Sequence, residues 1–138
     1  MRIAVDFDGT IVEHKYPDIG AEIPFAIKTL KLLQQEGNLL ILWTVREGYL
    51  LDKAVDYCHE KGLDFYAVNA NHPGEHPDNK NYSRKINADL LIDNISLGGL
   101  PDWGDIYKMI TYKISISDLL EANALCDKPK KKRWFGLR

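Results

Sequence analysis

Two carboxylates one residue apart, Asp6 and Asp8, follow directly on the apolar run Ile3-Ala4-Val5 and precede Gly9-Thr10. Residues two apart in an extended chain point to the same side. A buried strand ending here would crowd both acids at its carboxyl end, where open α/β sheets place their ligands. Like charges held that close call for a divalent cation, or for a proton on one of them. Gly9 then lets the backbone turn sharply. Asp-Gly is also an ordinary turn signal, so the chemistry depends on what the rest of the chain brings to the same strand end.

Three other stretches offer partners. Trp43-Thr44-Val45-Arg46 closes the apolar run 39–43. A hydroxyl at a strand terminus, followed by amides leading into a helix, can hold a phosphate, although Thr44 alone is also an ordinary β-branched strand residue. Arg46 either reaches an anion on a substrate or pairs at the surface with Glu47 or Glu13. Lys85, with Arg84 and Lys80 as nearby cations, precedes a last apolar run that ends at Asp93-Asn94. Asp89, at the far end of that run, reads as structural. His72 and His76 are four apart, but Pro73 and Gly74 exclude the regular helix that a metal pair would need. His14, Lys15 and Tyr16 follow the paired acids closely enough to touch a substrate.

The elements that must position these residues alternate. Arg2 to Phe7 reads as strand β1, and 11–21 as an irregular segment broken by Pro17 and Gly20. Glu22 to Glu36 reads as a helix, with Pro24 in its first turn, Ile23, Ile27, Leu30 and Leu33 at helical spacing, and Gly37 as its stop. Asn38 to Thr44 is a continuous apolar run, the mark of a strand β2 buried on both faces. Glu47 to Lys61 is a second helix, Phe65 to Val68 strand β3, 69–84 a polar loop, and Ala88 to Ile92 strand β4. Asp105 to Tyr112 and Ser117 to Leu125 read as helices, Ser117 as the cap of the second; Tyr112 to Ile116 alternates like a short extra strand. Strand–helix alternation predicts a parallel sheet with right-handed crossovers.

Asp6-Phe7-Asp8-Gly9-Thr10, then Thr44-x-Arg46, Lys85 and Asp93, stand in the order of the four motifs of the haloacid dehalogenase-like (HAD) hydrolases, most of which are magnesium-dependent phosphatases. The chain resembles that family over roughly residues 1–95. The resemblance implies a three-layer Rossmann-like α/β fold, with a central parallel sheet in the order β4-β1-β2-β3 between helices. It implies Asp6 as nucleophile and Asp8 as general acid and base, passing through an aspartyl-phosphate. Gly9, Thr44, Val45, Arg46 and Lys85 would bind phosphate. Asp6, Asp8 (through its backbone carbonyl) and Asp93 would hold Mg²⁺. Many relatives carry a second acid where this chain has Asn94, which can still ligate through its carbonyl or a water. Only 33 residues separate Thr10 from Thr44, and 40 separate Thr44 from Lys85. Neither interval holds a cap domain, so the chain resembles the small capless members, whose open site admits a bulky substrate or is closed by a second copy.

Size and composition agree with one soluble globular domain: 138 residues, 45% hydrophobic, 28% charged. The domain is expected to span 1–126. Residues 127–138 form a basic tail, with six basic residues against one acidic, while the body carries 12 basic and 19 acidic. Such a tail could touch an anionic surface, but nothing in the body suggests a nucleic-acid footprint. No apolar run reaches the roughly 20 residues of a membrane span, no secretory leader is visible, and Cys58 and Cys126 form no C-x-x-C motif. A cytoplasmic phosphatase of a small phosphorylated substrate is therefore the expected function. Two alternatives use similar residues. One is a receiver-like phospho-Asp signalling module, in which the acceptor normally ends a later strand. The other is a catalytically silent phosphate- or metal-binding protein, which the presence of both Asp6 and Asp8 argues against.

Overall fold

The computed structural model describes residues 1–126; the stretch 127–138, read above as a tail, lies outside the described residues. Four strands, β1 (Arg2–Val5), β2 (Leu39–Leu42), β3 (Ala67–Val68) and β4 (Leu90–Ile92), pair in parallel in the order β3-β2-β1-β4. Counted from the opposite edge this is β4-β1-β2-β3. In the ladder, Val5 stands beside Leu42 on one side and Ile92 on the other. Asp6, Trp43-Thr44 and Asp93 therefore leave the sheet together, at its carboxyl edge. Ile3, Ala4, Val5, Leu40, Ile41 and Leu42 have no exposed surface. Because successive strand residues face opposite sides, both faces of the sheet centre are covered.

Helices α1 (Ala26–Gln35), α2 (Gly48–Glu60), α3 (Trp103–Tyr112) and α4 (Ile116–Cys126) complete the described chain. The first helix begins at Ala26 rather than Glu22, because residues 11–23 have another use. Glu13 N–H donates to the Ala21 carbonyl at 2.8 Å, and Ile23 N–H to the Ile11 carbonyl at 2.9 Å. Val12 bridges Asp8 and Glu22. This small hairpin consumes Glu22 and Ile23, and Pro24 sits in the turn before the helix with Phe25 left-handed (φ 67°). The extra strand expected over 112–116 does not form: Lys113 turns left-handed (φ 55°) and ends α3. The cap of α4 is Ser115, not Ser117. Ser115 N–H donates to Asp118 Oδ2 at 2.8 Å, and Asp118 N–H to Ser115 Oγ at 3.2 Å, a reciprocal box that satisfies two helix-end donors. Asp102 caps α3 by accepting from Asp105 N–H at 2.9 Å, which starts that helix at Trp103 rather than Asp105.

Cys58 is fully buried in the core and its thiol is pushed up to about 12 by burial. Native protein treated with iodoacetamide at pH 8 is expected to be modified at exposed Cys126 and spared at Cys58, with both labelled after denaturation; labelling of native Cys58 at the denatured rate would contradict this packing. Among the described residues, no helix is long and apolar enough to cross a membrane.

Candidate active site

The strand ends open into a cleft of about 480 Å³. Asp6, Asp8, Asp93, Asn94 and Thr44 supply its polar lining, and His14, Tyr16, Trp43, Val45 and Ile95 the rest. Asp6 is set beside Asp93 by the ladder itself, its N–H donating to the Ile92 carbonyl at 3.0 Å. Burial lifts the Asp6 carboxyl from 3.8 to about 6, opposed by hydrogen bonds from the Phe7 amide and the Thr10 hydroxyl, and reinforced by the charges of Asp93 and Asp8. One oxygen of Asp93 is used locally, accepting from Ile95 N–H at 3.0 Å.

Thr10 ties the two strand ends together. Its hydroxyl lies 3.0 Å from Asp6 Oδ2 and 3.4 Å from Asn94 Oδ1, and it accepts from Asn94 N–H at 3.1 Å. A hydroxyl has one proton, and the shorter contact to a carboxylate takes it. The Thr10 carbonyl accepts from Trp103 Nε1 at 3.1 Å, deep in the protein, so α3 helps to hold the loop. Gly9 (φ 83°) is held between these groups. A Cβ there would lie 2.6 Å from Asn94 Nδ2, so the backbone angle requires glycine and any larger residue would displace the Asn94 side chain. Its amide donates to the Val12 carbonyl at 2.7 Å. That corrects the expectation that Gly9 would offer its N–H to phosphate: the turn needs the donor. Thr10→Val is expected to cost about 1 kcal/mol or somewhat more in urea unfolding, because the part-buried Asn94 amide loses its acceptor and Asp6 loses a donor. An unchanged midpoint would show that the hub is ornamental.

Arg46 stands elsewhere than expected. Its side chain is 1% exposed and clasps Asp8, itself 8% exposed, through Nε and Nη2, both at 2.7 Å. The remaining donors go to the Pro17 carbonyl from Nη1 (3.1 Å) and the Asp18 carbonyl from Nη2 (2.8 Å). The guanidinium sits 5.2 Å from the ring centroids of both Phe7 and Tyr16, and the hydrogen bond to Asp8, more than any other influence, pushes its own pKa further up. Four of its five N–H donors are taken, and the side chain does not line the cleft, so it is not placed to bind a substrate phosphate. Arg46 therefore orients Asp8 and anchors residues 16–18, rather than binding phosphate or pairing with Glu47 or Glu13.

The Thr44 hydroxyl accepts from Arg46 N–H at 3.2 Å, which leaves its proton free for the cleft. Asn69, which the sequence reading left unremarked at the head of a polar loop, fixes this strand end. Left-handed at φ 49°, it accepts from Thr44 N–H at 2.8 Å and donates to the Arg46 carbonyl at 3.3 Å. An Asn directly after a strand, tolerant of that conformation, was the available signal. Val45 lines the cleft, and its amide finds no acceptor among the described residues. Lys85 is exposed and does not line the cleft. Its loop is fastened instead by Asn71, which bonds Glu75 and the Asn87 amide, and Lys85 carries no tie toward Asp6.

Among the described residues, no three His, Cys, Asp or Glu side chains gather closely enough to hold a metal ion. The Asp8 carboxylate, turned onto Arg46, is unavailable as a ligand. Of the side chains that line the cleft, the Asp6 and Asp93 carboxylates and the Asn94 side-chain oxygen remain, an all-oxygen set. Such a set fits a small hard cation that keeps several waters and needs only one or two carboxylates, as Mg²⁺ does; it does not fit a softer ion.

No protein-family model and no curated protein matches the chain. Among solved structures it is similar to a conserved protein from Bacteroides thetaiotaomicron, at 60% sequence identity and a TM-score of 0.83, over 86% of this chain and 96% of that one.

Proposed function

This chain belongs to the same family as the conserved Bacteroides thetaiotaomicron protein, and from the cleft its sheet builds we propose that it is a Mg²⁺-dependent phosphomonoester hydrolase of the capless HAD type. The observation that carries the proposal is the pairing of β1 with β4. It brings Asp6 beside Asp93, with Thr44 and the Val45 amide on the same cleft. Asp6, Asp93 and the Asp8 carbonyl would hold Mg²⁺, whose contribution is to offset charge on the phosphoryl oxygens and between the two carboxylates.

In this reading an Asp6 oxygen attacks phosphorus in line, and the bond to the departing alcohol breaks as the aspartyl-phosphate forms. Asp8 would serve as acid and base through one oxygen that leaves the clasp: it gives a proton to the alcohol oxygen, and then takes one from the water that hydrolyses the aspartyl-phosphate. Arg46 would keep hold of the other oxygen and so limit how far Asp8 swings. The Thr44 hydroxyl and the Val45 amide donate to the equatorial oxygens, where charge builds. Purified protein with Mg²⁺ is expected to release inorganic phosphate from simple phosphomonoesters, and a chelator to stop it. No release from a broad panel of phosphomonoesters would overturn the proposal.

The Asp8–Arg46 clasp favours one second reading. If the clasp keeps Asp8 from activating water, a phosphorylated Asp6 would persist, as in a receiver-like module. Stable incorporation from a small phosphodonor, without turnover, would select that reading.

A further inference from the structure

We infer, building on the phosphatase reading, that the mouth of this cleft selects phosphomonoesters of uncharged, apolar alcohols, aromatic ones above all, and rejects substrates that carry a second anion. In the sheet, β1 lies between β2 and β4, so the residues that follow β2 and β4 stand on either side of Asp6. Those residues are Val45 and Ile95, which line the cleft and are 90% and 84% exposed. Trp43 and Tyr16 line it too. Tyr16 is held by the Arg46 guanidinium while half its surface remains open. Exposed apolar side chains grouped at the mouth of a polar site mark a ligand contact more than chance exposure does.

The charge pattern points the same way. Among the described residues no Lys or Arg lines the cleft, and Arg46 behind it is committed to Asp8 and to the Pro17 and Asp18 carbonyls. A second phosphate or carboxylate on the leaving group would meet the apolar walls of Val45 and Ile95, losing water without gaining a cationic partner among the described residues. An apolar ring would instead cover Val45, Ile95 and the open part of Tyr16.

Three probes that share one bond type test this: benzyl phosphate, para-carboxybenzyl phosphate and methyl phosphate, each with Mg²⁺. The expected kcat/KM for benzyl phosphate exceeds that of both others by about 10-fold or more, the range an apolar pocket can discriminate. Ile95→Lys, at an exposed position that does not threaten folding, should narrow the gap between benzyl and para-carboxybenzyl phosphate by about 10-fold. Phosphate release that Asp6→Asn abolishes, but with equal rates on the three probes or a preference for the carboxylated one, would overturn this inference and leave the phosphatase reading standing. Release from none of them would overturn both.

Discussion

Asp6→Asn is expected to lower phosphate release by about 10⁴-fold or more, the scale of losing a nucleophile, while making the folded chain more stable at pH 8. The two effects have one cause. The Asp6 carboxyl is lifted from 3.8 to about 6, first by burial and then by its acidic neighbours. Between those two values the folded chain binds more protons than the unfolded one, so stability falls as pH rises through that window and the loss is complete above it. A shift of that size corresponds to at most about 3 kcal/mol, and to roughly half as much for a carboxylate still partly in solvent. Asn keeps an acceptor for the Thr10 hydroxyl and carries no charge, so the variant should lack this pH slope. Mg²⁺ should likewise raise the wild-type melting temperature at pH 8 and not at pH 5, where Asp6 is mostly protonated. Equal melting temperatures for wild type and variant across pH 5–8 would contradict the placement of Asp6 among other acids.

Arg46→Met should be the most damaging single change to stability, about 3–5 kcal/mol in urea unfolding, because it strands the Asp8 carboxylate without its buried partner. It also frees the Pro17 and Asp18 carbonyls. The double variant Asp8→Leu with Arg46→Met should recover most of the loss, since an apolar pair needs no ionic partner. A double variant as unstable as Arg46→Met alone would mean that the clasp matters less than the anchoring of residues 16–18.

Those two residues also show how far the chain could be read unaided. Asp6, Asp93 and Thr44 were legible because each ends an uninterrupted apolar run, and parallel strands put such ends on one edge. The irregular segment 11–25 was not. Its pairing of Ile23 with Ile11 and Glu13 with Ala21 is tertiary, and it overrides a helical spacing that runs from Glu22. Arg46 was misread for a related reason. Sequence spacing shows that Glu47 lies beside it, but not that the strand order carries it onto Asp8, 38 positions away, rather than onto Glu13. The Thr10 link to Asn94, 84 positions apart, and the Trp103 clamp on the same loop are long-range contacts with no local signature. Lys85 stands in the right order along the chain and yet outside the cleft, because order constrains topology and not the path of a long polar loop.

Protein carrying Asp8→Asn, quenched in acid during turnover of para-nitrophenyl phosphate, whose leaving group departs without a proton, and then digested, tests the nucleophile itself. With the second step slowed, peptide mass spectrometry should find a phosphoryl group on the peptide that holds Asp6, absent when Asp6 is also Asn. Phosphate released while that peptide stays unmodified, or a phosphoryl group found on another residue, would contradict the account.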